Sequence, residues 1–183
     1  MGSRTVSILA LAFSIALSLT AADANAENKP FKVSGGGTAP DGLSVFGYAS
    51  PHNATGTATQ LGEYSGNGSA EVLSFDQKTL TGTFQGSFVF VAANGDRLAC
   101  NYGGPGTFTV TVAESGEATV EFIAVFTPDP AKCTGRFANV TGGSFLMIAN
   151  TSPFELTLDA EGFTPPFDYT WEGEGSLEFS DES

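Results

Sequence analysis

Three features of the sequence predict an all-β fold, a small closed antiparallel barrel of about eight up-and-down strands. Residues 167–180 alternate strictly. Phe167, Tyr169, Trp171, Leu177 and Phe179 fall on one parity, with Gly173 and Gly175 between them, and Asp168, Thr170, Glu172, Glu174 and Glu178 fall on the other. Period two over 14 residues is the mark of a strand with one buried face. Asn94-Gly95 joins two further alternating runs, and Asn-Gly is the strongest two-residue hairpin signal because both residues tolerate positive φ. No stretch after the first 26 residues carries a 3.6-residue apolar period, and the chain holds 23 glycines and 16 phenylalanines. Glycine and proline break helices, whereas phenylalanine, threonine and valine suit a pleated surface.

The N-terminus reads as a secretory signal. Arg4 supplies a positive start, 6–19 is an uncharged apolar run, and Ala24-Asn25-Ala26 offers small residues at −3 and −1 of a cleavage site. About 14 apolar residues fall short of the roughly 20 that span a bilayer. The expected organisation is therefore a signal peptide at 1–26 and one domain at 27–183, secreted or periplasmic, with no membrane span in the mature protein. A domain of that length can bury a real core.

Along the chain, strands are predicted near 44–50, 54–62, 66–76, 80–93, 96–102, 106–113, 117–127 and 143–149. Segments 154–159 and 167–180 are further strands or closing elements. Phe84, Phe88 and Phe90 alternate with polar neighbours, as do Phe108, Val110 and Val112. Glu114-Ser115-Gly116-Glu117 forms a short turn, and such tight connections imply an up-and-down order. Both faces of 120–126 are largely apolar, which predicts a strand covered on both sides. Pro128 and Pro130 rule out a central strand at 127–137. Closing the sheet removes its exposed edges.

The formal charge is −13, and removing 1–26 takes away only Arg4 and Asp23 and leaves it unchanged. Such a surface repels nucleic acid and anionic lipid, since phosphate binding needs Lys and Arg. Cys100 and Cys133 are the only cysteines. In an oxidising compartment an even count predicts a disulfide. That bond would close 34 residues and add roughly 3–4 kcal/mol by chain entropy. Two buried free thiols, or a reactive thiol, are the alternatives.

No catalytic or metal-binding motif stands out, and no cofactor is expected. Inward Phe84, Phe88, Phe90, Phe108, Tyr169 and Trp171 are the candidate lining of a pocket for a small apolar ligand, or else a packed core, because an eight-stranded barrel is just filled by side chains or holds one small molecule. Buried Tyr169 and Trp171 would need partners for their polar tips. Glu121 reads as a solvated or strand-covered carboxylate rather than a buried general acid. The lone His52 sits in a predicted loop without a second ligand or nucleophile beside it in sequence. Arg136 is expected to pair with a local carboxylate such as Asp129 rather than to bind an anionic group. The acidic positions Glu172, Glu174, Glu178, Asp181 and Glu182 lack calcium-loop spacing. Gly103-Gly104-Pro105-Gly106 lacks the Lys-Ser/Thr of a phosphate loop. Asn53, Asn67, Asn139 and Asn150 head N-x-S/T sequons.

One segment carries a family resemblance. Thr134-Gly135-Arg136-Phe137-Ala138-Asn139-Val140-Thr141-Gly142 resembles the T-G-x-F-x-x-A-x-G segment of allene oxide cyclase-like and dirigent-like barrels. Lys132-Cys133 replaces the paired glycines that usually precede it, and Val140 stands where alanine is usual. The resemblance implies a calycin-type barrel with an apolar cavity and places no catalytic residue on this chain. Two functions follow: a non-catalytic binding or structural module, or a cyclase or isomerase that acts by holding an apolar substrate in shape. The outward parity of nearly every charge favours the first.

Overall fold

The computed structural model describes residues 27–160 and 162–180. The signal peptide expected at 1–26 lies outside the described residues, as do Asp181 and Glu182. The chain is all-β. Its strands are β1 (Glu27–Ala39), β2 (Ser50–Ala58), β3 (Gly62–Asp76), β4 (Thr81–Ala92), β5 (Arg97–Val112), β6 (Glu117–Pro128), β7 (Val140–Thr151), the short β8 (Phe154–Glu155) and β9 (Phe167–Phe179). Each strand from β1 to β6 pairs antiparallel with the one that follows it; β9 pairs with β7 and returns to β1 over Glu27–Ala39, closing the barrel. β8 is an extra strand on β6. The eight-stranded up-and-down barrel expected from the hairpins is thus present. Among the described residues no helix is long and apolar enough to cross a membrane.

Several boundaries differ from the sequence reading. β1 was not anticipated: its Gly35-Gly36-Gly37 run looks like a breaker, yet it pairs with both neighbours. Segment 44–50 is not a strand: 44–49 is a loop, in which Ser44 makes a single bridge to Phe163, and Ser50 opens β2. The runs 96–102 and 106–113 are one strand, β5, because the 103–106 glycines form a bulge against β4 and β6 rather than a turn. Segment 154–159 contributes only the two residues of β8. The strand over 120–126 is not covered outside: Val125 and its neighbour Leu146 on β7 are each nearly half exposed.

Alternation dictates the core. Phe31, Phe88, Phe90, Phe137, Phe145, Leu98 and Leu177 have no or almost no exposed surface. Each fully buried side chain of this size is worth about 1.5–3 kcal/mol of hydrophobic transfer. The rings interlock: Phe31 and Phe145 lie 4.7 Å apart, Phe88 and Phe90 4.7 Å, and Phe88 and Trp171 4.8 Å in an edge-to-face contact. After β6 the chain makes two 3-10 turns, Pro130–Lys132 and Gly135–Phe137, and seals one end by burying Phe137 against Phe179. At the other end, the loop at 40–49 is strapped to 162–164 through Val45 N to Gly162 O and Thr164 N to Leu43 O, both 3.0 Å.

Candidate functional site

The middle of the barrel holds a polar cluster inside an aromatic shell. It is built around His52, which lies on β2 with its side chain inward, not in a loop. His52 Nδ1 is 2.8 Å from the Tyr169 hydroxyl, and Nε2 is 3.0 Å from the Tyr102 hydroxyl. Tyr169 also reaches the Asn53 carbonyl at 2.9 Å, and Tyr102 the Ser69 carbonyl at 3.0 Å. Close by, Trp171 Nε1 donates to the Tyr64 hydroxyl at 2.7 Å, and Tyr64 donates to Ser34 O. The polar tips of Tyr169 and Trp171 therefore have partners inside the core.

Local sequence makes this assembly possible. A tyrosine, tryptophan or imidazole ring needs more room than one inward position offers, and neighbouring strands supply it with glycine. A Cβ on Gly68 of β3 would stand 2.6 Å from His52 Nε2, and one on Gly35 of β1 would stand 2.5 Å from the Tyr64 hydroxyl.

Electrostatics hold the cluster neutral. Burial lowers the His52 pKa from 6.5 to about 4. The rings around it are Phe88, Tyr102, Tyr169 and Trp171, none of them anionic. Burial raises Tyr64 to about 12 and pushes Tyr102 and Tyr169 higher still. The chain Ser69 O, Tyr102, His52, Tyr169, Asn53 O has four contacts. With a neutral imidazole only three hydrogens are available, two hydroxyl and one N–H. Every one is committed within the chain, so none is left for a substrate.

Beside the cluster lies an apolar cavity of about 70 Å³, with Phe84, Phe126, Met147, Tyr169 and Trp171 in its wall. Phe84, Tyr169 and Trp171 were expected there. Phe88 and Phe90 are instead packed with no exposed surface, and Phe108 lines a separate, outer apolar space of about 260 Å³ at the strapped end. Sequence reasoning missed His52, Tyr102 and Phe126. Tyr102 and Phe126 stack at 4.6 Å. The missed signal was parity: Ser50, His52, Ala54, Gly56 and Ala58 form one small inward face, with His52 its only ring.

Other expected residues fall elsewhere. Glu121 is exposed on β6, so it is no buried acid. Arg136 does not pair with Asp129. Its Nε is 2.7 Å from Asp96, Nη1 donates to Gln60 O at 2.7 Å, and Asp129 takes Lys132 at 2.8 Å. Gly135, at positive φ, packs directly against the Asp96 carboxylate, where a Cβ would not fit, and so sets the next residue, Arg136, beside Asp96. The Cys100–Cys133 disulfide is not formed: both are free, buried thiols. The bridge of Arg97 to Thr134 sets Cys133 beside Leu98 in register, whereas the ladder partner of Cys100 on that side is Pro128. Cys133 Sγ lies 3.6 Å from Ala99 O instead. Burial raises both thiol pKa values, most strongly that of Cys100. Among the described residues no group of three or more His, Cys, Asp or Glu is placed to hold a metal ion.

Comparison with protein-family models, with curated proteins and with solved structures finds no match to this chain.

Proposed function

We propose that the mature domain is an exported, non-catalytic binding module that holds a small apolar molecule in its interior. The observation that carries this reading is the closed hydrogen-bond chain through His52. Both imidazole nitrogens and both tyrosine hydroxyls face each other or backbone carbonyls, and the adjoining cavity is walled by apolar side chains. A space of this kind favours a ligand without hydrogen-bonding groups at its inner end, since burying an unpaired polar group is costly. A cyclase of the allene oxide cyclase type would need an inward carboxylate or amide; Glu121 and Asn53 are both exposed. Export rests on the 1–26 segment, and the calycin-type assignment on the Thr134–Gly142 segment, which here forms a 3-10 turn and the start of β7 at the sealed end.

Native mass spectrometry of the mature protein purified from its host tests the reading. A co-purified apolar molecule is expected, together with a thermal shift on adding small hydrocarbons or terpenoids. Reproducible absence of both overturns it.

A further inference from the structure

The strapped end of the barrel combines apolar surface with unbalanced negative charge. The outer space of about 260 Å³ lies here, walled by Val45, Leu80, Phe108, Val120 and Phe154 among others. Leu43, Phe122 and Phe167 border both this vestibule and the inner cavity, so the two spaces adjoin end to end. The vestibule edge is apolar too. Leu158 in its wall is 45% exposed, and on the 40–49 strap, next to the wall residue Val45, Phe46 is 68% exposed and Tyr48, stacked on Phe163, 58%. Isolated exposed apolar residues are ordinary, but a group of them rimming an apolar hollow marks a binding surface.

Charge is distributed along the barrel axis. Exposed acids stand directly beside vestibule residues in the chain: Asp76 beside Gln77, Glu155 beside Leu156, Asp159 beside Leu158, and Asp168 beside Phe167. Asp41 lies in the strap two residues before Leu43. Among the described residues, Lys78 is the one cation on the loops of this end. Lys29, Arg97, Lys132 and Arg136 cluster at the sealed end, where Lys29–Glu27, Lys132–Asp129 and Arg136–Asp96 form ion pairs.

We propose that this mouth binds an amphipathic cation, a molecule with an apolar body and a positively charged end. This rests on reading the interior as ligand space and adds the ligand's charge and orientation. The apolar body occupies the vestibule and reaches past Leu43, Phe122 and Phe167. The cation stays outside, among the acidic residues. A cation held there keeps its hydration, avoids the penalty of buried charge, and gains attraction from several carboxylates. A matched anion meets repulsion at the same rim, and a neutral molecule gains only the apolar part.

Calorimetric titration of the mature protein with decyltrimethylammonium, decanol, decyl sulfate and tetramethylammonium, each below micelle-forming concentration, tests this. At low ionic strength decyltrimethylammonium is expected to bind about tenfold tighter than decanol, and decyl sulfate weakest. High salt should shrink that gap, because the rim charges are solvent-exposed. The exposed triple variant Asp76→Asn, Asp159→Asn, Asp168→Asn should lose the preference while decanol binding persists. Decanol binding as well as the ammonium ion would overturn the charge inference and leave the interior reading standing. Tetramethylammonium binding as well as its decyl counterpart would also overturn it, by showing attraction to the acidic surface alone. If no alkyl compound binds, the interior reading falls as well.

Discussion

His52 on β2 and Tyr169 on β9 meet at 2.8 Å across an intervening strand, β1. They can do so because β1 presents Gly35 and Gly37 inward between Val33 and Ala39, leaving the space above it to side chains from either flank. A histidine placed there is largely removed from water, and its protonation state becomes a stability term.

The pH dependence follows with a definite sign. His52 titrates near 6.5 in the unfolded chain and near 4 in the fold. As pH falls through this window the unfolded chain takes up the proton first. The contribution of neutral His52 is therefore complete above pH 6.5, declines as pH drops toward 4, and is constant below that. The full loss is about 3 kcal/mol. It is an upper bound, because an imidazolium would supply the fourth hydrogen to the tyrosine chain. Urea unfolding at pH 7 and pH 4.5 should show wild type losing about 2 kcal/mol more than His52→Gln, with the carboxylates common to both. Parallel losses would refute the buried neutral imidazole.

Tyr102 and Tyr169 are arms of one network, so their hydroxyls should not act independently. Tyr102→Phe and Tyr169→Phe are each expected to cost about 1–3 kcal/mol in urea unfolding, the range for stranding a buried hydrogen-bonding partner. The double variant should cost more than the sum. Three hydrogens make three bonds in the chain; either single deletion leaves two hydrogens for two contacts and loses one bond, and the double deletion loses all three and strands the imidazole N–H. Strict additivity would show that His52 does not couple them.

The barrel itself was legible in the sequence, because alternation and tight turns are local properties. β9 from Phe167 and the 94–95 hairpin stand where the pattern puts them. β1 was not legible: Gly35-Gly36-Gly37 has no side chains to alternate, and it is a strand because β2 and β9 pair with it on both sides. The site was half legible. Inward aromatics announce themselves by parity, so Phe84, Tyr169 and Trp171 were found. His52 follows Pro51 among small residues, and its partners Tyr102 and Tyr169 lie 50 and 117 positions away. Only closure of the sheet brings them together. The Arg136 pairing was missed for the same reason: Asp96 is 40 residues away, while Asp129 is close in sequence and already held by Lys132.

Space around the imidazole is limited by a glycine. A Cβ at Gly68 would press on the Ser87 carbonyl oxygen of β4 and lie 2.6 Å from His52 Nε2 and 2.7 Å from the Phe88 ring. Gly68→Ala should destabilise by about 1–3 kcal/mol, as overpacking of a filled interior does. Thermal unfolding checks this. Gly68→Ala should cost less in a His52→Ala background than in wild type, because one of the three groups its Cβ would strike, the imidazole, is gone, while the Ser87 carbonyl and Phe88 remain.

Arg136 ties three segments by contacts to Asp96 and to the Gln60 carbonyl. Its guanidinium, with a further hydrogen bond from Asn94, holds the Asp96 carboxyl below the usual range. Arg136→Ala should raise the Asp96 pKa toward its ordinary value, measured by NMR titration of the side-chain carboxyl. Arg136→Lys should restore part of the shift and not the Gln60 contact, because an ammonium lacks the planar fork. An unchanged Asp96 titration in Arg136→Ala would place the cause in Asn94 and the turn.

The two thiols should be silent in the native protein. Nucleophilic sulfur requires the thiolate, and burial raises the pKa of both Cys100 and Cys133, with Cys133 and Asp129 adding to the effect on Cys100. The ordered segment 129–134 also shields Cys133, with Asp129 N bonded to Ala99 O at 2.8 Å and Thr134 N to Arg97 O at 2.9 Å. A thiol-reactive chromogenic disulfide at neutral pH should find neither group over minutes in the folded protein and both after denaturation without reductant. Intact mass should equal that of the dithiol chain. Cys133 should react first as denaturant is raised, since its cover is an edge segment whereas Cys100 is held within β5 between β4 and β6. A mass lower by two hydrogens, with no thiol released on unfolding, would show that the register offset between Leu98 and Cys100 is closed by movement of the 129–134 segment and that the oxidised form is the resident one.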